Sequence, residues 1–244
     1  MRKLMMAAAF AAMALRVVPA AAVAPVPAVC GDVNSTGTVT AADALAVLKV
    51  AVHQPLELIC AAIPQFPATG DDVDYGDFSD GHVQSGTARS FTDNGDGTVT
   101  DNVTGLMWEK KGSADDIHYM DNIYAWTSTD EQMDGPIVTA FLASLNADKG
   151  FAGHNDWRIP TITELLSLWN VGAGNPTAFT PFNDSCVNGC NSETCSCTAP
   201  TTYWSSSSSH FDGGKAWFVN FGDGGADFDG KIGTNHVRAV REAF

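Results

Sequence analysis

Oxygen-bearing side chains recur at the spacing of a calcium-binding loop between residues 32 and 43 of the 244-residue sequence. If Asp32 is loop position 1, Gly37 falls at position 6, where a loop that wraps around Ca²⁺ has to turn sharply. Apolar residues follow at helical spacing over residues 45–52. The expected ligands of one Ca²⁺ are Asp32, Asn34, Thr36, Thr40 and Asp43, with the carbonyl oxygen of Thr38.

This loop and the helix after it resemble one repeat of a dockerin type I module. Thr36 stands where an acidic ligand is usual, so the affinity for Ca²⁺ should be reduced. Dockerins carry paired repeats, and this sequence has only one. We therefore expect residues 23–64 to form a small calcium-stabilised structural module, and we do not expect a cohesin-type partner.

The start of the chain has the pattern of a secretory signal peptide over residues 1–22. A charged start is followed by an apolar stretch at residues 4–15 and by Ala20-Ala21-Ala22, a suitable cleavage site. The apolar stretch is shorter than the roughly 20 residues that cross a bilayer, and no later segment is apolar enough to do so. We expect an exported protein without a transmembrane segment: secreted, periplasmic or at the cell surface.

The formal net charge of −15 limits the classes of partner. Nucleic-acid-binding proteins carry basic patches that contact phosphates, so this class is not expected. The charge suits bound calcium, basic partners or neutral sugars, although solubility alone also accounts for it. An acidic, glycine-bearing run at residues 65–85 is typical of a linker or domain edge, and the patterned part of the chain covers residues 86–244.

The six cysteines are an even number, which in an exported chain favours disulfides over thiol chemistry. Cys30 and Cys60 bracket the calcium-loop segment and are expected to pair with each other. The other four lie in one Asn/Ser-rich insertion, where we expect two disulfides whose pairing the sequence leaves open. Four thiolates around zinc are the alternative. These four residues are Cys186, Cys190, Cys195 and Cys197.

Polar loops with scattered aromatic residues are the best candidates for a ligand site in the large domain. Residues 206–215 and 223–235 combine hydrogen-bonding side chains with phenylalanines, as sugar recognition requires. A solvated loop is the alternative for any one of these residues, and the three aspartates after residue 222 are a candidate second calcium site. The predicted ligand-binding residues are Ser206, Ser208, His210, Phe211, Asp212, Lys215, Asp223, Asp227, Phe228, Asp229 and Asn235.

The elements expected around these loops are short. Residues 90–101 carry Asn-Gly and Asp-Gly steps between Thr/Val/Phe runs, which predicts a β-hairpin. Thr161 and Glu164 have the spacing of a capping box that starts a helix at residues 161–169. A second helix is predicted at residues 137–145. Further strands are predicted at residues 106–108, 203–205, 216–221 and 236–241, with Trp108, Trp157, Trp204 and Trp217 in the core.

Three stretches resemble the Lcl C-terminal domain family, named for a bacterial collagen-like adhesin. They are residues 91–108, residues 153–165 with the Trp-Arg-Ile-Pro sequence, and the segments 203–206, 216–221 and 237–241. The resemblance implies an α+β, C-type-lectin-like fold with two helices and short antiparallel strands. It also implies a role in adhesion, with sulfated polysaccharides as ligands of the namesake.

The resemblance extends to formylglycine-generating enzymes and to the variable proteins of diversity-generating retroelements. The enzymes use a cysteine pair late in the fold, whereas this chain has no cysteine after Cys197. The serines at 205–209 with His210 also lack a nucleophile elbow, so we expect no catalytic residues and no enzyme activity. We expect a ligand-binding or adhesion protein that recognises a polysaccharide or a surface protein. A structural exported protein and a variable receptor are the alternatives.

Overall fold

The computed structural model describes residues 66–129 and 132–243. All of these belong to the second of the chain's two compact units, Gln65–Phe244. The predicted signal peptide, the calcium loop and the Cys30–Cys60 pair lie outside the described residues. The unit is mixed, with two β-sheets and a few short helices, in agreement with the α+β class. No helix in the described part of the chain is long and apolar enough to cross a membrane.

The first sheet has four antiparallel strands in the order β1-β2-β3-β9. They are β1 Phe91–Asp93, β2 Thr98–Asp101, β3 Leu106–Glu109 and β9 Val240–Glu242. The predicted hairpin is confirmed, with Phe91 opposite Asp101. Its turn is fixed by two aspartates, because Asp93 accepts from the Gly95 amide and Asp96 from the Thr98 amide. These carboxylates therefore stabilise the turn.

The second sheet has five strands in the order β4-β8-β5-β6-β7. They are β4 Ile123–Ala125, β5 Thr202–Ser208, β6 Lys215–Asn220, β7 Gly225–Gly230 and β8 Thr234–His236. All neighbours are antiparallel except β5 and β8, which run parallel. The prediction of one continuous strand at residues 236–241 is wrong. The chain leaves the second sheet after His236 and joins the first at Val240, so residues 237–239 cross between the sheets.

Both predicted helices are present, and one is shorter than expected. A π-helical segment, Ile137–Leu142, continues into α2, Ala143–Leu145, with the side chains of Ile137, Phe141 and Leu145 buried. Helix α3, Ile162–Leu166, starts with the predicted capping box of Thr161 and Glu164. The helix ends before residue 169 because the amides that follow it donate to carbonyls three residues earlier, as in a 3₁₀-helix, and not four residues earlier. The Ser167 amide, for example, donates to the Glu164 carbonyl.

The described part of the acidic segment, residues 66–85, forms α1, Asp80–Val83, and is bonded to the rest of the unit. Its hydrogen bonds include a bridge between Pro67 and Thr87 and a bond from the Val171 amide to the Thr69 carbonyl. This segment therefore supplies one side of the surface beside α3.

The core consists of two apolar clusters, one around Trp108 and Tyr203 and the other around Trp157 and Trp204. The indole N–H of Trp157 donates to the Phe151 carbonyl at 2.9 Å, and that of Trp204 to the Tyr124 carbonyl at 3.1 Å. Burial of three of the four predicted core tryptophans is thus confirmed. Trp217 is only half-buried.

A buried ionic network joins the two sheets. Glu109 at the end of β3 is fully buried and lies 2.8 Å from both the Lys111 Nζ and the His118 Nδ1. Its second oxygen accepts from the Ala239 amide at 2.9 Å, and Arg238 donates to the Glu109 carbonyl at 2.8 Å. The crossing at residues 237–239 is therefore fixed by charged groups that are themselves out of solvent.

The cysteine insertion contains the two predicted disulfides. Cys186 pairs with Cys197, and Cys190 pairs with Cys195. Both bridges close loops within the insertion, and the amide of Cys197 bonds to the Lys111 carbonyl at 2.8 Å. The bridges therefore hold this long loop against the end of β3.

Candidate functional site

The loops that the sequence grouped into one ligand site lie at two ends of the β6–β7 hairpin. Residues 209–214 connect β5 to β6 at one end, whereas residues 221–224 connect β6 to β7 at the other. A six-residue strand is roughly 20 Å long. Asp223 is therefore remote from His210, Phe211 and Asp212, and the structure does not bring these residues together.

The predicted residues of β7 also divide between the two faces of the sheet. Phe228 pairs with Trp217, while Asp227 pairs with Phe218 and Asp229 with Ala216. Cross-strand partners share a face and successive residues alternate. Asp227 and Asp229 are thus on the face of Phe218 and Ala216, which pack in the Trp204 cluster. Phe228 is on the opposite face.

Trp217 and Phe228 form a half-exposed aromatic pair, which we call the aromatic platform. The ring centroids are 5.3 Å apart with an interplanar angle of 85°, an edge-to-face arrangement. Lys215 is two residues before Trp217 on the same face, and its Nζ lies 5.2 Å from the Phe228 centroid. Apolar ring surface and a cation therefore stand side by side on the edge hairpin of the second sheet.

The β5–β6 loop adjoins the Lys215 end of the platform. Asp212 Oδ2 is 3.9 Å from Lys215 Nζ, and Asp212 Oδ1 accepts from the Gly214 amide at 3.0 Å. Phe211 is 86% exposed, with its ring centroid 6.0 Å from that of His210. The Ser209 hydroxyl accepts from the Phe211 amide. The loop is thus ordered by its own side chains while it presents an imidazole, an aromatic ring and a carboxylate to solvent.

The remaining predicted residues have structural roles or lie elsewhere. Ser206 bonds to the Pro160 carbonyl through its amide and its hydroxyl. Asn235 is buried in β8 and accepts from the Thr202 hydroxyl at 2.6 Å. Ser208 is exposed at the end of β5, opposite Ala216. Of the predicted set, the structure groups His210, Phe211, Asp212, Lys215 and Phe228.

Sequence reasoning assigned Trp217 to the core and missed its place on this surface. The signal available was its alternation with Lys215, because a strand residue two positions from a lysine shares the lysine's face. The partner ring on β7 becomes evident only from the register of the hairpin.

Metal-ligating side chains are not gathered at the platform. In residues 66–129 and 132–243, three or more such groups come together only at Cys186, Cys190 and Cys197, whose sulfurs lie within 4.8 Å of one another. These sulfurs belong to the two disulfides. Asp223, Asp227 and Asp229 do not converge, so the structure gives no support to a second calcium site there.

The sequence profile of the Lcl C-terminal domain matches residues 97–241. The chain belongs to the Lcl C-terminal domain family. No curated protein and no solved structure matches it. The region matched to the Lcl C-terminal domain includes strands β2 to β8 and therefore the whole aromatic platform. It excludes β1 and the segment at residues 66–83.

Proposed function

We propose that this member of the Lcl C-terminal domain family is an exported binding or adhesion protein that recognises a neutral glycan. The aromatic platform is the observation that carries this proposal. Sugars present apolar C–H faces that pack on aromatic rings, and hydroxyls that bond to polar groups around the ring. Lys215 and Asp212 supply such groups next to Phe228, and the same loop adds the imidazole of His210.

The charge of the chain favours a neutral glycan over a sulfated one. The net charge of −15 repels polyanions, and the one cation of the platform, Lys215, already has Asp212 within 3.9 Å. Orientation of a bound sugar would come from the few polar groups next to the rings. The proposal includes a C-type-lectin-like architecture, which the two small sheets and the few short helices support.

Removing one ring of the platform is expected to weaken glycan binding without unfolding the domain. A ligand that covers the exposed part of Phe228 gains less than the roughly 1.5–3 kcal/mol of a fully exposed ring, so Phe228→Ala should reduce affinity about three- to tenfold. Glycan-array screening of the full chain identifies the ligand, and calorimetry then compares the variants. Phe78→Ala is the matched control, because Phe78 is 97% exposed on a different segment.

Thermal unfolding accompanies these measurements. Phe78→Ala should leave the unfolding midpoint almost unchanged, since exposed side chains contribute little to stability. Phe228→Ala should lower the midpoint only modestly, because Phe228 is half-buried against Trp217. Equal affinities for both variants and the wild type would refute the platform as the binding site. A ligand that depends on Asp223 instead would place the site at the opposite end of the hairpin.

We further propose that one Ca²⁺ binds Asp32, Asn34, Thr36, Thr40 and Asp43, with the Thr38 carbonyl. The loop spacing in the sequence supports this proposal. Calorimetry of the full chain should show one calcium-binding event at about millimolar or lower concentration, in the range of extracellular sites. Asp32→Ala should abolish the heat, whereas Asp223→Ala should retain it. No heat in the wild type, or heat that survives Asp32→Ala, contradicts this assignment.

A further inference from the structure

The surface beside α3 contains a cavity of about 630 Å³ that the proposed function does not use. It lies among α3, β3 and the segment that begins at Phe66. Leu106, Leu166, Trp169 and Val171 form much of its apolar lining, together with residues 66–68. Its volume falls within the range of about 300–1,000 Å³ that is typical of small-molecule sites.

Two polar side chains on the cavity wall have hydrogen-bonding atoms without a partner. The Arg89 Nε and the Thr104 hydroxyl are buried and unbonded, and both residues line the cavity. Buried polar atoms nearly always have partners, so two unsatisfied atoms on one cavity wall require an explanation. A bound group that donates and accepts hydrogen bonds would provide one.

The ionised groups around the cavity are already paired. The Arg89 side chain is 7% exposed, and its guanidinium lies 3.4 Å from Asp101 Oδ2 and also donates to the Ser167 carbonyl. Glu164 and Glu242 both bond to Arg158, at 2.7 and 3.0 Å. An ionised ligand would therefore find no free counter-charge among these groups and would lose its hydration. The chemistry favours a neutral ligand.

We propose that this cavity binds a neutral small molecule with an aromatic or branched apolar body and one amide or hydroxyl head group. The body occupies the space between Leu106, Leu166 and Trp169, and the head group completes the hydrogen bonding of Thr104 and Arg89. Because these polar atoms have almost no exposed surface, binding requires a rotation of the Thr104 side chain or a small movement of Arg89. This site is separate from the aromatic platform, and part of its wall, residues 66–69 and Arg89, lies outside the region matched to the family.

The first test uses the full chain and a neutral dye, N-phenyl-naphthylamine, whose fluorescence rises in apolar surroundings. The wild type should enhance the fluorescence, and Ala68→Trp, which fills the cavity, should abolish the enhancement. Val187→Trp adds the same ring at a 65% exposed position outside the lining and should bind like the wild type. Val171→Trp is the second blocking variant if circular dichroism shows Ala68→Trp to be unfolded.

The second test determines the head group by competition against the dye. Naphthalene carboxamide should displace the dye at about three- to tenfold lower concentration than naphthalene, the effect of one or two hydrogen bonds. Thr104→Val keeps the shape of the side chain and should remove most of this preference. Dye binding that survives both blocking variants overturns the site. Equal competition by the two compounds overturns the proposed ligand class. Phe228→Ala should leave both results unchanged, which separates this site from the glycan site.

Discussion

Glu109→Ala is expected to lower the free energy of unfolding by about 3–5 kcal/mol, because it leaves buried charges without their partner. Glu109 is fully buried, and Lys111 is 1% exposed at 2.8 Å from it. The substitution also removes the acceptor for the Ala239 amide at the crossing between the sheets. Urea unfolding measures the change.

Glu242→Ala is the matched control for this substitution. Glu242, like Glu109, is a strand glutamate with a cationic partner. It lies 3.0 Å from Arg158, but its side chain is 65% exposed. Exposed ion pairs contribute about 0–1 kcal/mol, so this variant should unfold almost like the wild type. Similar losses in the two variants would mean that Glu109 is not the buried link between the sheets.

The same network makes stability depend on pH in a defined direction. Burial opposes ionisation of Glu109, but Lys111 and His118 outweigh it and hold the pKa of Glu109 below its usual value of 4.5. As pH falls, the Glu109 carboxylate therefore takes up its proton at a higher pH in the unfolded chain than in the folded chain. The stabilisation is present above that usual value and is lost as pH falls through the lower, folded-state pKa. Glu109→Gln should flatten this part of the pH profile.

Local patterns in the sequence were sufficient for the elements that depend on neighbouring residues. The hairpin at β1 and β2 follows from Asn-Gly and Asp-Gly steps, and the start of α3 follows from Thr161 and Glu164. The two disulfides of the insertion follow from an even number of cysteines, although their pairing required the structure. Each of these features is determined within about a dozen residues of chain.

Features that depend on residues distant in the chain could not be derived in this way. Glu109-Lys110-Lys111 is a charged run of the kind usually exposed, yet all three residues are buried. The Ala239 amide bonds to Glu109, Asp93 pairs with Lys110, and the Cys197 amide bonds to the Lys111 carbonyl. A distant contact also accompanies the break between β8 and β9. Arg238, which lies in this break, donates to the carbonyl of Glu109, a residue far away in the sequence. Tertiary partners decided both outcomes.

The candidate site shows the same division. The sequence identified the polar loop and Phe228, but it combined residues from both faces and both ends of one hairpin. Alternation along β7 separates Phe228 from Asp227, and the length of β6 separates Asp223 from Asp212. A ligand site is defined by which side chains share a face, and this depends on the register between β6 and β7.

Trp157→Ala is expected to cost roughly 3–5 kcal/mol of unfolding free energy, the usual loss when a large buried ring is removed. Trp157 is 2% exposed, and its ring lies 5.3 Å from that of Phe151. Its backbone amide and carbonyl both bond to the Asn146 side chain at 2.8 Å, which joins the end of α2 to the strand-like segment before α3. The cavity left by the indole would therefore loosen both elements.

Trp157→Phe and Trp217→Ala are the comparisons that separate core from surface. Trp157→Phe keeps most of the apolar contact but loses the indole bond to the Phe151 carbonyl, so its loss of stability should be clearly smaller than that of Trp157→Ala. Trp217 is half-buried on the aromatic platform, and its removal should cost less stability than Trp157→Ala while impairing glycan binding. Urea unfolding of the three variants gives the order of stability. If Trp157→Ala were no less stable than Trp217→Ala, the division of the tryptophans between core and binding surface would be wrong.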